Sequence, residues 1–140
     1  MKETSAHRAL QPPGWPVPKG YANGILVEAG SRMLFVAGQI AWTEEKQLVS
    51  DEMHEQFAQC LRNVVAVLHE AGGKPQHLIR LTMFVTDKNL YLAQTRLIGE
   101  HYRDLIGRHY PACTLVEVSG LLEPGALVEI EATAALPPED

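Results

Sequence analysis

The chain has 140 residues, 46% of them hydrophobic, enough for one domain with a buried core and too few to expect a second. Its 12 basic and 17 acidic side chains give a net charge of −5, the wrong sign for a protein that holds nucleic acid by neutralising phosphates. No apolar run approaches the ~20 residues of a membrane span, and there is no basic-then-apolar leader, so a cytoplasmic protein is expected, without membrane or nucleic-acid partners and with Cys60 and Cys113 as separate thiols.

Residues 1–20 carry Pro12, Pro13, Pro16 and Pro18 with Gly14 and Gly20, which opposes both helix and central strand. An extended arm with a disordered tip is expected. Trp15 and Tyr21 are its large residues, and each either pins the arm to the body or lines a ligand pocket. Ile25 to Glu28 and Met33 to Ala37 read as two short strands in a hairpin about Gly30-Ser31. Gly38, Gln39 and Ile40 lead into a loop holding Trp42, and a glycine after a strand marks either a turn or bulge or a close approach of backbone to a ligand.

Ser50 is a candidate N-cap with Asp51 and Glu52 in the first turn. Met53, Phe57, Cys60, Leu61, Val64, Val65 and Leu68 recur at helical spacing up to Gly72, the expected C′ residue. Cys60, on that stripe, belongs to the core. Leu78 to Thr86 alternates as a strand, with Ile79, Leu81, Met83 and Val85 on one face and Arg80, Thr82, Phe84 and Thr86 on the other. A second helix is expected from about Leu90 to Gly107. A closing strand pair then occupies residues 110–136. In its first run Cys113, Leu115, Glu117 and Ser119 share a face opposite Thr114, Val116 and Val118; in its second, Glu129, Glu131 and Thr133 lie opposite Val128, Ile130, Ala132 and Ala134.

A domain over residues 21–136 with a tail at 137–140 therefore has the order β-β-α-β-α-β-β. It is an α+β fold, a mixed sheet with two helices on one face. Leu115 and Phe84 are expected on the uncovered face, where they need a partner.

The strings Y-P-A-x-T-x-V-E-V from Tyr110 and L-x-x-x-A-L-V-E-I-E-A-x-A from Leu122 resemble the C-terminal signature of the Rid (YjgF-type) imine and enamine deaminases. F-V-A-G-Q-I (Phe35 to Ile40), L-R-N-V-V-A-V-L-H-E-A-G-G (Leu61 to Gly73) and F-V-T-D (Phe84 to Asp87) follow the family's order and spacing, so the resemblance spans roughly residues 21–136. It implies a chorismate-mutase-like fold, a homotrimer whose sheets form a central barrel, small-molecule clefts between subunits, and no cofactor. Glu129 matches the acid that orients the hydrolytic water, against the alternative of a solvated outward carboxylate such as Glu131. Tyr21 matches a pocket-lining tyrosine, although Ala22-Asn23-Gly24 departs from the usual pattern. Asn63 matches a common family position but reads as capping a loop or meeting solvent.

Cys113 stands where members with deaminase character carry the arginine that pairs with the substrate carboxylate, which a neutral thiol cannot do. Gly99 stands near where many carry an asparagine, just before Tyr102. Together these imply a cleft more aromatic and less cationic than usual, shaped by Tyr21, Gly38, Trp42, Phe84, Cys113 and Leu115. Arg80 is the candidate replacement cation, with Lys19, Arg103, Arg108 and His109 less constrained. A nucleophilic Cys113 needs a lowered pKa and a base in reach, so a wall residue is expected instead. The six histidines show no i,i+4 pair and no cluster, so no metal is expected. The expected activity is hydrolysis of a larger apolar or aromatic imine or enamine; the alternative is a non-catalytic ligand-binding or regulatory trimer. An endoribonuclease ranks third, given the acidic charge and the lack of a paired-histidine or Lys/His set.

Overall fold

In the computed structural model, which describes residues 7–139, the long apolar stripe becomes helix α1 (Met53–Glu70). Its Phe57, Cys60, Leu61, Val64 and Leu68 are at most 1% exposed, and each large aliphatic or aromatic side chain so buried contributes about 1.5–3 kcal/mol. Gly72 ends the helix as the sequence suggests, at φ 79°, with Gly72 N–H donating to His69 O at 2.9 Å and Gly73 N–H to Leu68 O at 2.9 Å. The start differs. Ser50 Oγ accepts from Glu52 N–H at 2.9 Å, outside the helix, while Glu52 occupies the cap without a side-chain bond. A distant residue completes the first turn, because the Gln94 carbonyl oxygen accepts from His54 N–H at 2.9 Å.

That bond accounts for a second departure. The single second helix divides into α2 (Lys88–Ala93) and α3 (Thr95–Leu105), with Gln94 between them at φ −120° and ψ 20°. Gln94 leaves helical geometry at the position from which its side chain reaches α1. Asp87 caps α2 through Leu90 N–H at 3.0 Å.

Among the described residues six strands form two sheets. In the ribbon, β1 (Arg8–Leu10) pairs antiparallel with β2 (Gly24–Leu26), so the expected hairpin of residues 25–37 does not form. The arm itself supplies the partner of β2; its expected disordered tip lies outside the described residues. The main sheet runs in the order β3 (Arg32–Gln39), β6 (Val128–Leu136), β4 (Leu78–Val85), β5 (Ala112–Glu117), with β4 and β5 parallel and the rest antiparallel. The closing strands are therefore not neighbours, since β4 lies between β5 and β6. The fold is the expected α+β layer of a mixed sheet under helices.

One face of this sheet lies beneath the helices, with Val36, Leu81, Met83, Val85, Val128 and Ile130 buried. A register shift between Leu78 and Arg80 puts Leu78 into the core and Ile79 out of it, contrary to simple alternation. Leu115 pairs with Met83 and Cys113 with Leu81, so both lie on the helix face. Leu115 is therefore not on the uncovered face with Phe84; the alternation in β5 is as read, but its register with β4 sets which side is inward. On the open face Met33 and Val116 are exposed, Phe84 is half-buried and Phe35 is 75% exposed. Among the described residues no helix is long and apolar enough to cross a membrane.

Candidate functional site

Two places hold most of the residues that the sequence singles out. The first is on the open face, where β3 carries a bulge between Val36 and Gln39, so that Ala37 and Gly38 together lie opposite one stretch of β6. Glu129, paired with Phe84 across β4, lies over Gly38. A Cβ at Gly38 would collide with the Glu129 carboxylate and stand 2.9 Å from its Cδ. Glycine here gives the acid its seat. The bulged strand is held from within by Gln39 Nε2 donating to Ala37 O at 3.0 Å, and the loop after it by Asn63 Nδ2 donating to Ile40 O at 3.1 Å and Trp42 O at 3.0 Å. Asn63 thus ties down a loop.

The second place is a cleft of about 720 Å³ on the helix side. Met83 of β4 and Cys113 and Leu115 of β5 form its floor, Phe57 of α1 and Tyr91 and Tyr102 of α2 and α3 its walls. Tyr21 reaches its mouth because Ala22 N–H donates to Pro111 O at 3.0 Å, which brings the arm alongside β5. Tyr102 stacks on Tyr110 with ring centres 5.4 Å apart, and its hydroxyl donates to His109 O at 2.6 Å. Burial pushes the Tyr91 and Tyr102 hydroxyls above the usual tyrosine range, with Cys113 adding to it.

Burial also pushes the Cys113 thiol up to about 11. It has no hydrogen-bond partner among the described residues, and His109, its nearest candidate base in sequence, uses Nε2 on Leu78 O at 2.7 Å. Cys113 is a neutral wall residue. Cys60 is fully buried with its Sγ 3.6 Å from Val128 O, and burial raises its pKa strongly.

Within one chain, the seven residues expected around one intersubunit cleft are divided. Tyr21, Cys113 and Leu115 line the helix-side cleft; Gly38, Phe84 and Glu129 stand on the open face. Trp42 lies in neither, its ring 5.3 Å from Lys46 Nζ and its Nε1 buried without a hydrogen-bond partner among the described residues. Arg80 also points away from Cys113, into a shallow hollow with Phe35 and Thr133. Lys19, Lys88 and Arg103 line the helix-side cleft and no Asp or Glu does. Arg108 and His109 line a separate hollow of about 530 Å³ beneath the ribbon. Trp15 is 57% exposed.

The sequence reading missed Lys88, Tyr91 and Phe57 as cleft residues, and Gln56. Gln56 lies three residues after Met53 on the apolar stripe, a polar residue at a core spacing, which is a readable sign of a buried bond network. The structure also brings together His54 and His101, whose rings stack at 5.3 Å with Nδ1 and Nε2 3.1 Å apart across α1 and α3. Among the described residues no three His, Cys, Asp or Glu side chains gather as a metal-binding set.

A family model described as Endoribonuclease L-PSP matches residues 18–136. The chain is 34% identical to a RutC family protein, slr0709, of Synechocystis over 87% of this chain and 91% of that protein. It is 29% identical to a human 2-iminobutanoate/2-iminopropanoate deaminase over 81% and 78% of the two. The crystal structure of YyfB from Yersinia pestis, a Rid family protein of unknown function, superposes with a TM-score of 0.77 at 29% identity, covering 93% of this chain and 98% of that one.

Proposed function

Because the chain belongs to the Endoribonuclease L-PSP family, which the Rid proteins share, we propose that it hydrolyses a reactive imine, or an enamine after tautomerisation, to a carbonyl compound and ammonia. The observation that carries the reading is the Glu129 carboxylate seated over Gly38, and the similarity to a deaminase supports it. Water adds to the C=N carbon, Glu129 takes one of its protons and returns a proton to nitrogen, and the carbinolamine then expels ammonia as the C=O bond forms.

In one chain the cleft and Glu129 lie on opposite faces of the sheet, so the proposal requires more than one copy. Three copies with their open faces turned inward cover Met33, Phe35 and Val116. The outer strand β5 of one copy then brings its cleft to the Glu129 face of the next. A small-molecule substrate binds between them, with Tyr21, Cys113 and Leu115 on one side and Gly38, Phe84 and Glu129 on the other. Trp42 and Arg80 have no place in this site.

Cys113 favours a second reading, in which the protein binds a metabolite and releases it unchanged as a non-catalytic or regulatory trimer. The two readings separate in one assay: ammonia release from imines generated in situ by an amino acid oxidase, with small, acidic and aromatic side chains. Acceleration by the wild type that falls about 10²- to 10⁴-fold in Glu129→Gln supports hydrolysis. No acceleration with any imine, and recovery of unchanged ligand from the protein, supports the binding protein. An endoribonuclease remains the third-ranked reading; RNA binding that weakens steeply with salt supports it.

A further inference from the structure

The helix-side cleft lacks an arginine on β5, yet it is not without an anion site. Arg103, on α3, lines it, and its Nη1 lies 3.4 Å from where a Cβ at Gly99 would stand, one helical turn away. Gly99 has no positive φ to demand glycine, and a glycine inside a helix costs about 1 kcal/mol relative to alanine. What glycine provides is space: a Cβ at residue 99 would already stand in van der Waals contact with the guanidinium, so a larger side chain directed toward it crowds the arginine.

The electrostatics of the cleft agree. In a chain of net charge −5, Lys19, Lys88 and Arg103 line this cleft and no carboxylate does. Arg96 pairs with Glu100 at 3.2 Å, whereas Arg103 has no ion pair or hydrogen bond among the described residues. Low-dielectric walls around like-signed charges concentrate the field on a ligand. The guanidinium alone of the three offers a planar fork that matches a carboxylate.

We infer that Arg103 is the anion-recognising residue of this cleft, admitted to it by Gly99, and that the ligand joins one carboxylate to a large apolar or aromatic body. The carboxylate site has moved from the strand floor to the helix wall. The ligand's body then lies over Met83, Cys113 and Leu115, where the thiol leaves room that an arginine would fill. This rests on the cleft being the substrate site, but it does not depend on turnover.

The test is calorimetric binding of phenylpyruvate, its amide and pyruvate to the intact protein. Wild type is expected to bind phenylpyruvate about 10- to 100-fold more tightly than the amide, as a charge-assisted pair requires, and more tightly than pyruvate. Arg103→Gln removes the preference of acid over amide, Arg103→Lys keeps part of it, and Arg96→Gln, outside the cleft, leaves it within about threefold. Gly99→Asn, which crowds the arginine without removing it, also diminishes the preference. Arg103 is on the protein surface, so melting temperatures of its variants stay with the wild type. Equal binding of acid and amide to the wild type, a preference that survives Arg103→Gln, or no phenylpyruvate binding each overturns the assignment. Absence of ammonia release by the same protein from imines generated in situ by an amino acid oxidase overturns the hydrolase reading alone.

Discussion

Replacing Gly38 by alanine isolates the seat of Glu129 without touching the acid. The new Cβ would stand 2.9 Å from Glu129 Cδ and 3.1 Å from Cγ, and carbon atoms rest at about 3.5–4.0 Å. Cδ therefore moves by about 0.6 Å, and the nearer oxygen by about 1 Å. Because the displaced atoms end a side chain and the residue needs no positive φ, the fold relaxes at a cost of about 1 kcal/mol or less. For a chain of this size that lowers Tm by about 3 °C. Activity responds far more strongly, because a misplacement of about 1 Å at a catalytic group costs up to about 10²-fold. The expected outcome is a kcat for ammonia release 10- to 100-fold below wild type (about the same factor in kcat/KM) with ligand affinity unchanged. Full kcat in Gly38→Ala refutes the seat; a loss of stability above about 3 kcal/mol refutes the premise that only a side chain gives way.

Three further outcomes follow from buried polar groups. Gln56 is 0% exposed, donates to Ser50 O and Gly125 O at 2.9 and 3.0 Å, and accepts from Leu127 N–H at 2.8 Å. Gln56→Ala orphans all three, so denaturant unfolding is expected to show a loss of about 3 kcal/mol, and a loss below about 1 kcal/mol contradicts the network. Cys113, with its pKa near 11 instead of 9.0, reacts with iodoacetamide at pH 8 about 100-fold more slowly than in the unfolded chain. Its neutral form is the folded one, so its contribution to stability is complete below pH 9 and is lost as pH rises toward 11; alkylation at the unfolded rate refutes this. His77, 3% exposed and with no partner for Nε2 among the described residues, has its pKa lowered from 6.5, first by burial and then by His7, Lys74, Arg32 and His109. The stability its neutral ring holds above pH 6.5 is lost as pH falls, so His77→Gln, melted at pH 7 and pH 5, is expected to lose less Tm than wild type.

Local periodicity carried the elements with one buried face. The 3.6-residue stripe of Phe57, Leu61, Val64 and Leu68 and the alternation of Val128, Ile130, Ala132 and Ala134 each describe a surface that has to be covered, and both elements formed. Pairing was not legible, because backbone hydrogen bonds between distant segments leave no periodic trace. Ile25 and Met33 flank a turn as hairpin strands do, yet β2 takes its partner from the arm and β3 takes β6. Gln94 reads as an ordinary helix residue until His54 N–H is 2.9 Å from its side chain. For the site, Glu129 and Cys113 could be named from their motifs. Their separation by the sheet could not, since it depends on β5 lying parallel to β4 with Cys113 beside Leu81. Arg103 gave no pattern of its own; its place on the cleft wall and the space over Gly99 set it apart from other surface arginines.

The strand order has a consequence for how this molecule is made. As the chain leaves the ribosome, β3, β4 and β5 are all present before β6, yet among the described residues β3 has no neighbour in the main sheet other than β6. Until residues 128–136 emerge, β4 and β5 can zip only with one another, and α1 packs over a floor with a missing board. Insertion of β6 joins the two pieces, places Ala132 and Ala134 under the helices and lays Glu129 over Gly38 in the same event. The core and the proposed catalytic acid thus arrive together and late, by contacts that span most of the sequence.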